Sequence, residues 1–157
     1  MQTCIGPSEE HVSMAGIPTE ASILDMVERA MPGRVQNVYA HSSGGGKFIA
    51  VIQFKKTVPS DEGRQRQAAL LAFSAFPELK QVILVDEDVD IFDTNDVLWA
   101  MTTRMQADVD IVTIPGVRCH PLDPSNDPAC SWSIRDHGID CKTIYDATVP
   151  FLSLIHI

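Results

Sequence analysis

The sequence predicts an α/β fold in which a mixed β-sheet carries helices packed on it. Three observations lead there. Strand-like and helix-like runs alternate from Val35 to Ile114, Pro and Gly punctuate the boundaries between them, and one strand-like run is apolar almost throughout, as a strand covered on both faces must be.

The elements follow in order. Pro18 to Met31 carries Ile23, Met26, Val27, Ala30 and Met31 at helical spacing, with Glu20 in the first turn, and predicts a helix capped near Pro18 or Thr19 and stopped by Pro32-Gly33. Val35 to His41 and Lys47 to Phe54 are β-rich and joined by Ser42-Ser43-Gly44-Gly45-Gly46, which predicts a hairpin with a flexible glycine tip. From Asp61 to Phe76 the pattern turns helical, with Ala69, Leu70, Phe73 and Phe76 on one stripe, and Pro77 ends it. Gln81 to Val85 is a short apolar strand. The acidic run that follows leads through Asp93 or Thr94 as N-cap into a helix over Asn95 to Met105, and Val109 to Ile114 is a further strand closed by Pro115-Gly116. Phe73, Leu84, Val97 and Trp99 are the expected core contacts of the two later helices. After Val117 the chain becomes rich in Pro, Asp and Ser and reads as an irregular excursion.

Composition narrows the function classes. At 157 residues and 45% hydrophobic content the chain holds one domain with a sizeable core. A net charge of −9 argues against a nucleic-acid partner or an anionic membrane surface, because both need Lys and Arg in excess. No apolar run approaches the roughly 20 residues of a bilayer span. Cys4, Cys119, Cys130 and Cys141 show no paired zinc spacing and read as reduced thiols, which suits the cytoplasm.

Four motifs invite chemistry. Asp86, Glu87, Asp88, Asp90, Asp93 and Asp96 could converge on a hard cation, but an EF-hand loop needs glycine where Ile91 stands and a bidentate Glu where Val97 stands, so a capping and hydrogen-bonding turn is the better reading. Gly44-Gly45-Gly46-Lys47 lacks the spacing of a phosphate-binding loop and precedes a strand, not a helix. Cys119, His41, His120 and His137 have no spacing that ties nucleophile to base, although His120 beside Pro121 stays as a minor candidate. The amino-terminal Ser8-Glu9-Glu10-His11 offers two adjacent carboxyls. Like charges repel, and repulsion favours a protonated partner, which suits a general acid; a solvated turn ahead of a helix would look the same.

The stretch from Val82 to Asp93, continued by Asp96-Val97-Leu98-Trp99-Ala100-Met101-Thr102-Thr103-Arg104, resembles the carboxy-terminal signature of the UbiD decarboxylases, and Gly44-Gly45-Gly46-Lys47-Phe48 and His120-Pro121-Leu122-Asp123-Pro124-Ser125 agree with it. The resemblance implies the carboxy-terminal part of an enzyme that removes CO2 from aromatic or α,β-unsaturated carboxylic acids with prenylated FMN and a divalent metal, Mn or Mg. The cofactor's ligands would lie upstream of Met1, so that no metal ligand is assigned in this chain and the fragment alone would be inactive. It also implies a proton donor at Glu9, with Glu10 as second choice because Ser8 stands where the family often has an acid. A homo-oligomer acting on a small-molecule acid is expected. On this reading residues 1–17 resemble the segment carrying the donor, residues 18–150 the α/β domain, and residues 151–157 an apolar tail without cap or turn signal, the end of a truncated frame. The competing expectation is a free-standing assembly or interaction subunit without catalysis.

Overall fold

The computed structural model describes residues 9–118, 120, 123, 125 and 139–154. In chain order the elements are α1 (Glu9–Ala30), β1 (Val35–Ala40), β2 (Ile49–Phe54), α2 (Arg64–Ala75), β3 (Gln81–Val85), α3 (Thr94–Arg104), the short α4 (Ala107–Asp110), β4 (Ile111–Arg118), β5 (Ile139–Asp146) and the short α5 (Phe151–Leu154). Single 3-10 turns sit at Ser42–Gly44 and Pro59–Asp61.

The five strands form one mixed sheet in the order β1-β2-β3-β5-β4. β2, β3 and β5 are parallel, with Val51 opposite Ile83 and Leu84 opposite Asp146. β1 and β4 close the two edges antiparallel. Because side chains alternate across a strand, each central strand feeds two cores. Ala50, Ile52, Val82, Leu84 and Ile144 point to the face covered by α1 and α2, where Ile23, Val27, Ala69, Ala72 and Phe73 meet them. Val51 and Val85 point to the other face, where Val89, Ile91, Val97 and Ala100 of the acidic turn and α3 cover them. The near-continuous apolar run of β2 reflects this double burial.

Several sequence expectations need correction. α1 begins at Glu9, nine residues before Pro18, and Pro18 lies inside it. Proline removes one N–H, the one that would bond the carbonyl of Met14, but the turns before it have a surface to rest on: Gly16 is buried, and Glu20 Oε1 accepts the N–H of Ala40 at 2.9 Å. Trp99 is half exposed, not buried, because the helical stripe of α3 that faces the sheet is Val97 and Ala100. Leu70 is exposed as well; α2 packs through Ala68, Ala69, Ala72 and Phe73. Gly44, Gly45 and Gly46 are buried, so the hairpin tip is a packed element.

β5 carries no periodic signal in the sequence, yet it lies between β3 and β4. Its Lys142 is buried because Nζ donates to the carbonyls of Pro77 and Leu79 at 2.6 and 2.5 Å, closing the α2–β3 turn, and lies over the Phe73 ring. β4 does not end at Pro115-Gly116; its register against β5 shifts between Ile114 and Val117 and pairing resumes.

Candidate functional site

The two candidate proton donors stand in the first turn of α1. Glu10 is exposed, and the side chain of Glu9 lies outside the described residues. Below them the helix rests on the β1–β2 hairpin. Gly46 has φ +67°, and a Cβ built there would come within 3.1 Å of the Cα and N of Gly16 and 3.2 Å of the Cα of Val12. Gly44 is equally constrained, since its Cβ would meet the backbone N of Ile49 at 2.8 Å. The glycine run therefore lets two backbones approach, a role that does not require phosphate. His41 caps the turn after β1, with Nδ1 at 2.7 Å from Ser43 Oγ and Nε2 at 2.9 Å from Thr94 Oγ1.

The acidic run is a hydrogen-bonded turn, as its sequence suggested. Asp93 caps α3 by accepting the N–H of Asn95, Asp96 accepts the N–H of Asp90, and Asp90 accepts that of Phe92. Arg104, at the end of α3, grips Asp88 with two nitrogens at 2.9 and 2.6 Å and reaches Asp86 at 3.1 Å while stacking on Trp99. That bidentate hydrogen bond holds the Asp88 carboxyl below its usual range, and burial pushes the Asp86 carboxyl above it.

Asp86 belongs to a polar network along the edge where the three parallel strands end, the edge at which α/β sheets commonly bind ligands. Here a stretch of the chain's own backbone occupies it. Val149 donates its N–H to Asp86 at 2.7 Å and accepts from the buried Lys56 Nζ at 3.0 Å. Lys56 also pairs with Glu62, which accepts the N–H of Phe151. Burial alone would raise the Glu62 carboxyl, but that backbone hydrogen bond, Lys56 and Gln65 together hold it below its ordinary value. Asp146 accepts from Gln65, Arg66 and Thr148, and Arg66 continues to Asp110. Sequence reasoning did not find this network, although a charged residue at each strand end (Lys56, Asp86, Asp146) was a signal that could have pointed to it.

At the opposite edge a second cluster ties the excursion to the sheet. Lys80 pairs with Asp123 at 2.7 Å and Asp140 at 3.0 Å and contacts Ser125, and His120 Nε2 lies 3.1 Å from Glu78, which also holds Lys47. Burial would raise the Asp123 carboxyl, yet the hydrogen bonds led by Lys80 bring it down to about 2. Cys119 and His137 lie outside the described residues, as do Cys4 and Cys130, while Cys141 is a free thiol.

A metal-bridged flavin phosphate needs several oxygen or nitrogen ligands converging on one point, together with cationic or N–H donors. Among the described residues no group of three or more His, Cys, Asp or Glu could hold a metal ion. The open hollow of about 370 Å³ between α1 and α2 is lined by Ala30, Met31, Leu70 and Leu71 with Gln67 and Ser74, and has no cation for a phosphate. The described residues do not fit that group. Nor, among them, is any helix long and apolar enough to cross a membrane.

The family profile of the 3-octaprenyl-4-hydroxybenzoate carboxy-lyase (UbiD) C-terminal domain matches residues 12–147. The chain belongs to the UbiD family. It is 64% identical over 152 residues to the gallate decarboxylase of Lactiplantibacillus plantarum, covering 96% of this chain and 31% of that protein. The apo structure of Klebsiella pneumoniae 3,4-dihydroxybenzoic acid decarboxylase superposes with a TM-score of 0.86 at 64% identity, covering 94% of this chain and 30% of that one. An evolved dimeric form of a UbiD-class enzyme from Pelotomaculum thermopropionicum, in complex with prenylated FMN, superposes with a TM-score of 0.70 at 29% identity over 91% of this chain and 27% of that one. The chain thus spans about a third of the length of these UbiD relatives.

Proposed function

We propose that this chain is the carboxy-terminal part of a non-oxidative decarboxylase that uses prenylated FMN to remove CO2 from a hydroxylated aromatic acid. The observation that carries the reading is the 64% identity, over nearly the whole chain, to enzymes named for gallate and for 3,4-dihydroxybenzoic acid. The parent enzyme would be a cytoplasmic homo-oligomer with Mn or Mg, its cofactor ligands lying outside the described residues.

Within this chain the proposed chemistry is a proton transfer. The carbon–carbon bond to the carboxylate breaks, CO2 leaves, and the vacated carbon receives a proton from a neutral carboxylic acid, Glu9 first and Glu10 second. The adjacency of the two carboxyls supports this, because like charge favours keeping one of them protonated.

The test is CO2 release from gallate and 3,4-dihydroxybenzoate by the full-length parent loaded with prenylated FMN. Glu9→Gln keeps size and hydrogen bonding but has no transferable proton, so turnover should fall by about 10² to 10⁴ while flavin binding persists. Wild-type turnover in both Glu9→Gln and Glu10→Gln would remove the donor assignment, and absence of CO2 release from either acid would remove the substrate class.

A further inference from the structure

We infer that the outward face of α3 is where two copies of the parent chain meet, with Leu98 and Trp99 carrying the contact. The inference deepens the homo-oligomer of the reading given above and rests on that part of it alone.

α3 has two faces of unlike character. Val97 and Ala100 are buried against the sheet. Asn95, Leu98, Trp99 and Thr102 recur at i, i+3, i+4 and i+7, so they form one stripe on the opposite side, and all four are exposed, Leu98 at 52% and Trp99 at 51%. Little on this stripe holds water strongly. Thr102 and Thr103 turn their hydroxyls back onto the carbonyl of Trp99 at 3.0 and 2.7 Å, which leaves their methyl groups to face outward. The two charged side chains of the helix are engaged elsewhere, Asp96 with the N–H of Asp90 and Arg104 with Asp86 and Asp88.

Charge selects the occupant. The chain carries a net charge of −9, so two copies repel each other across any face that shows its carboxylates and approach best where none stands. The stripe of α3 is such a face. A second exposed apolar row, Met14, Ile17 and Leu24 on α1, continues into Glu28 at the same helical spacing and has the Asp25–Arg29 pair beside it. A twofold contact sets one patch against itself, and a stripe at this spacing packs helix against helix without needing a complementary charge. Trp99 is also held ready. The Arg104 guanidinium lies 5.1 Å from its ring centre, and two hydrogen bonds to Asp88 hold Arg104 still, so little side-chain freedom is lost when the ring is covered. Tryptophan is among the residue types that most often dominate an interface.

The experiment is sedimentation equilibrium on the full-length parent holoenzyme and its Leu98→Glu and Trp99→Glu variants. Leu70→Glu is the control, because Leu70 is similarly exposed but lies on α2, across the sheet. In a twofold contact each new glutamate comes close to its own copy, so both α3 variants should raise the dissociation constant of the assembly about 30-fold or more, with an unchanged circular dichroism spectrum, while Leu70→Glu associates like the wild type. Leu98→Cys keeps the stripe apolar and serves if the glutamate variants do not fold: with diamide as oxidant it should give a disulfide-linked dimer that neither the wild type nor Leu70→Cys gives. A wild-type parent that sediments as a monomer, or α3 variants that associate as tightly as the wild type, overturns the inference. Unchanged association with lost flavin loading also overturns it and assigns the stripe to the parent's own cofactor-bearing part. The decarboxylase reading fails separately: absence of CO2 release from an enzyme that associates through α3 defeats that reading and leaves this contact standing.

Discussion

Replacing Asp61 should cost this domain more than any exposed charge would. Asp61 is fully buried. Its Oδ2 accepts the N–H of Thr57 at 2.9 Å, that of Val58 at 3.1 Å and the Thr57 hydroxyl at 3.2 Å, and it pairs with Arg34 Nε at 3.1 Å. Its Oδ1 has no hydrogen-bond partner, the nearest cation being Arg64 at 3.5 Å. One carboxylate thus closes the loop between β2 and α2 and ties it to the start of β1. Asp61→Ala leaves three donors and a guanidinium without their shared acceptor; Thr57 and Val58 are exposed and recover part of the loss from water, so the total should be about 2–4 kcal/mol. In a chain of 157 residues, at about 2–4 °C per kcal/mol, that lowers Tm by about 4–16 °C. Asp61→Asn keeps a carbonyl oxygen for the two backbone donors and should lose about half as much. Scanning calorimetry of wild type and both variants at pH 7 checks this; an Asp61→Ala Tm within about 2 °C of wild type would refute the reasoning.

Other outcomes follow from the same interactions. Arg104→Ala leaves Asp86 buried without its guanidinium and should destabilise by about 2–4 kcal/mol in urea unfolding, whereas Arg104→Lys keeps the charge, loses the bidentate grip on Asp88, and should cost about 1 kcal/mol. Asp61, Glu62, Asp88 and Asp123 have carboxyls held below their ordinary values, so each contributes stability above its unfolded pKa that is lost as pH falls through its folded one. For Asp123, moving from 3.8 to about 2, that contribution is about 2 kcal/mol. Asp86, raised by burial, acts in the opposite sense as pH falls, but it is one group against four. Stability measured by urea unfolding should therefore fall between pH 5 and pH 2, and a flat or rising profile over that range would contradict these pairings.

Much of the sheet was legible in the residues themselves. The hairpin, the strand Gln81–Val85 and the Asp93 cap come from local signals, namely alternation, glycine punctuation and a side-chain oxygen ahead of a helix. What was not legible depends on partners distant in sequence. Pro18 looked like a helix start because proline favours a first turn, and only the hairpin beneath shows why the helix continues back to Glu9. Trp99 looked like core because it is large and aromatic, but the stripe that faces the sheet is set by the helix axis, and Arg104 stacks on its outer side. β5 hid because its buried Lys142 and Asp146 break any apolar pattern and are satisfied by carbonyls and side chains dozens of residues away. The strand-edge network around Lys56, Asp86 and Asp146 was invisible for the same reason. Glu9 and Glu10 entered through a family resemblance; their adjacency alone fits a solvated turn equally well.

The most direct test of the account is decarboxylation in D2O by the full-length parent enzyme loaded with prenylated FMN, given 3,4-dihydroxybenzoate labelled with ¹³C in the carboxyl group. The account predicts one ¹³CO2 released per substrate consumed and one deuterium in the product at the carbon that bore the carboxylate, with both signals suppressed together in Glu9→Gln or Glu10→Gln. A holoenzyme that binds the flavin but releases no ¹³CO2 from this acid or from gallate would contradict it.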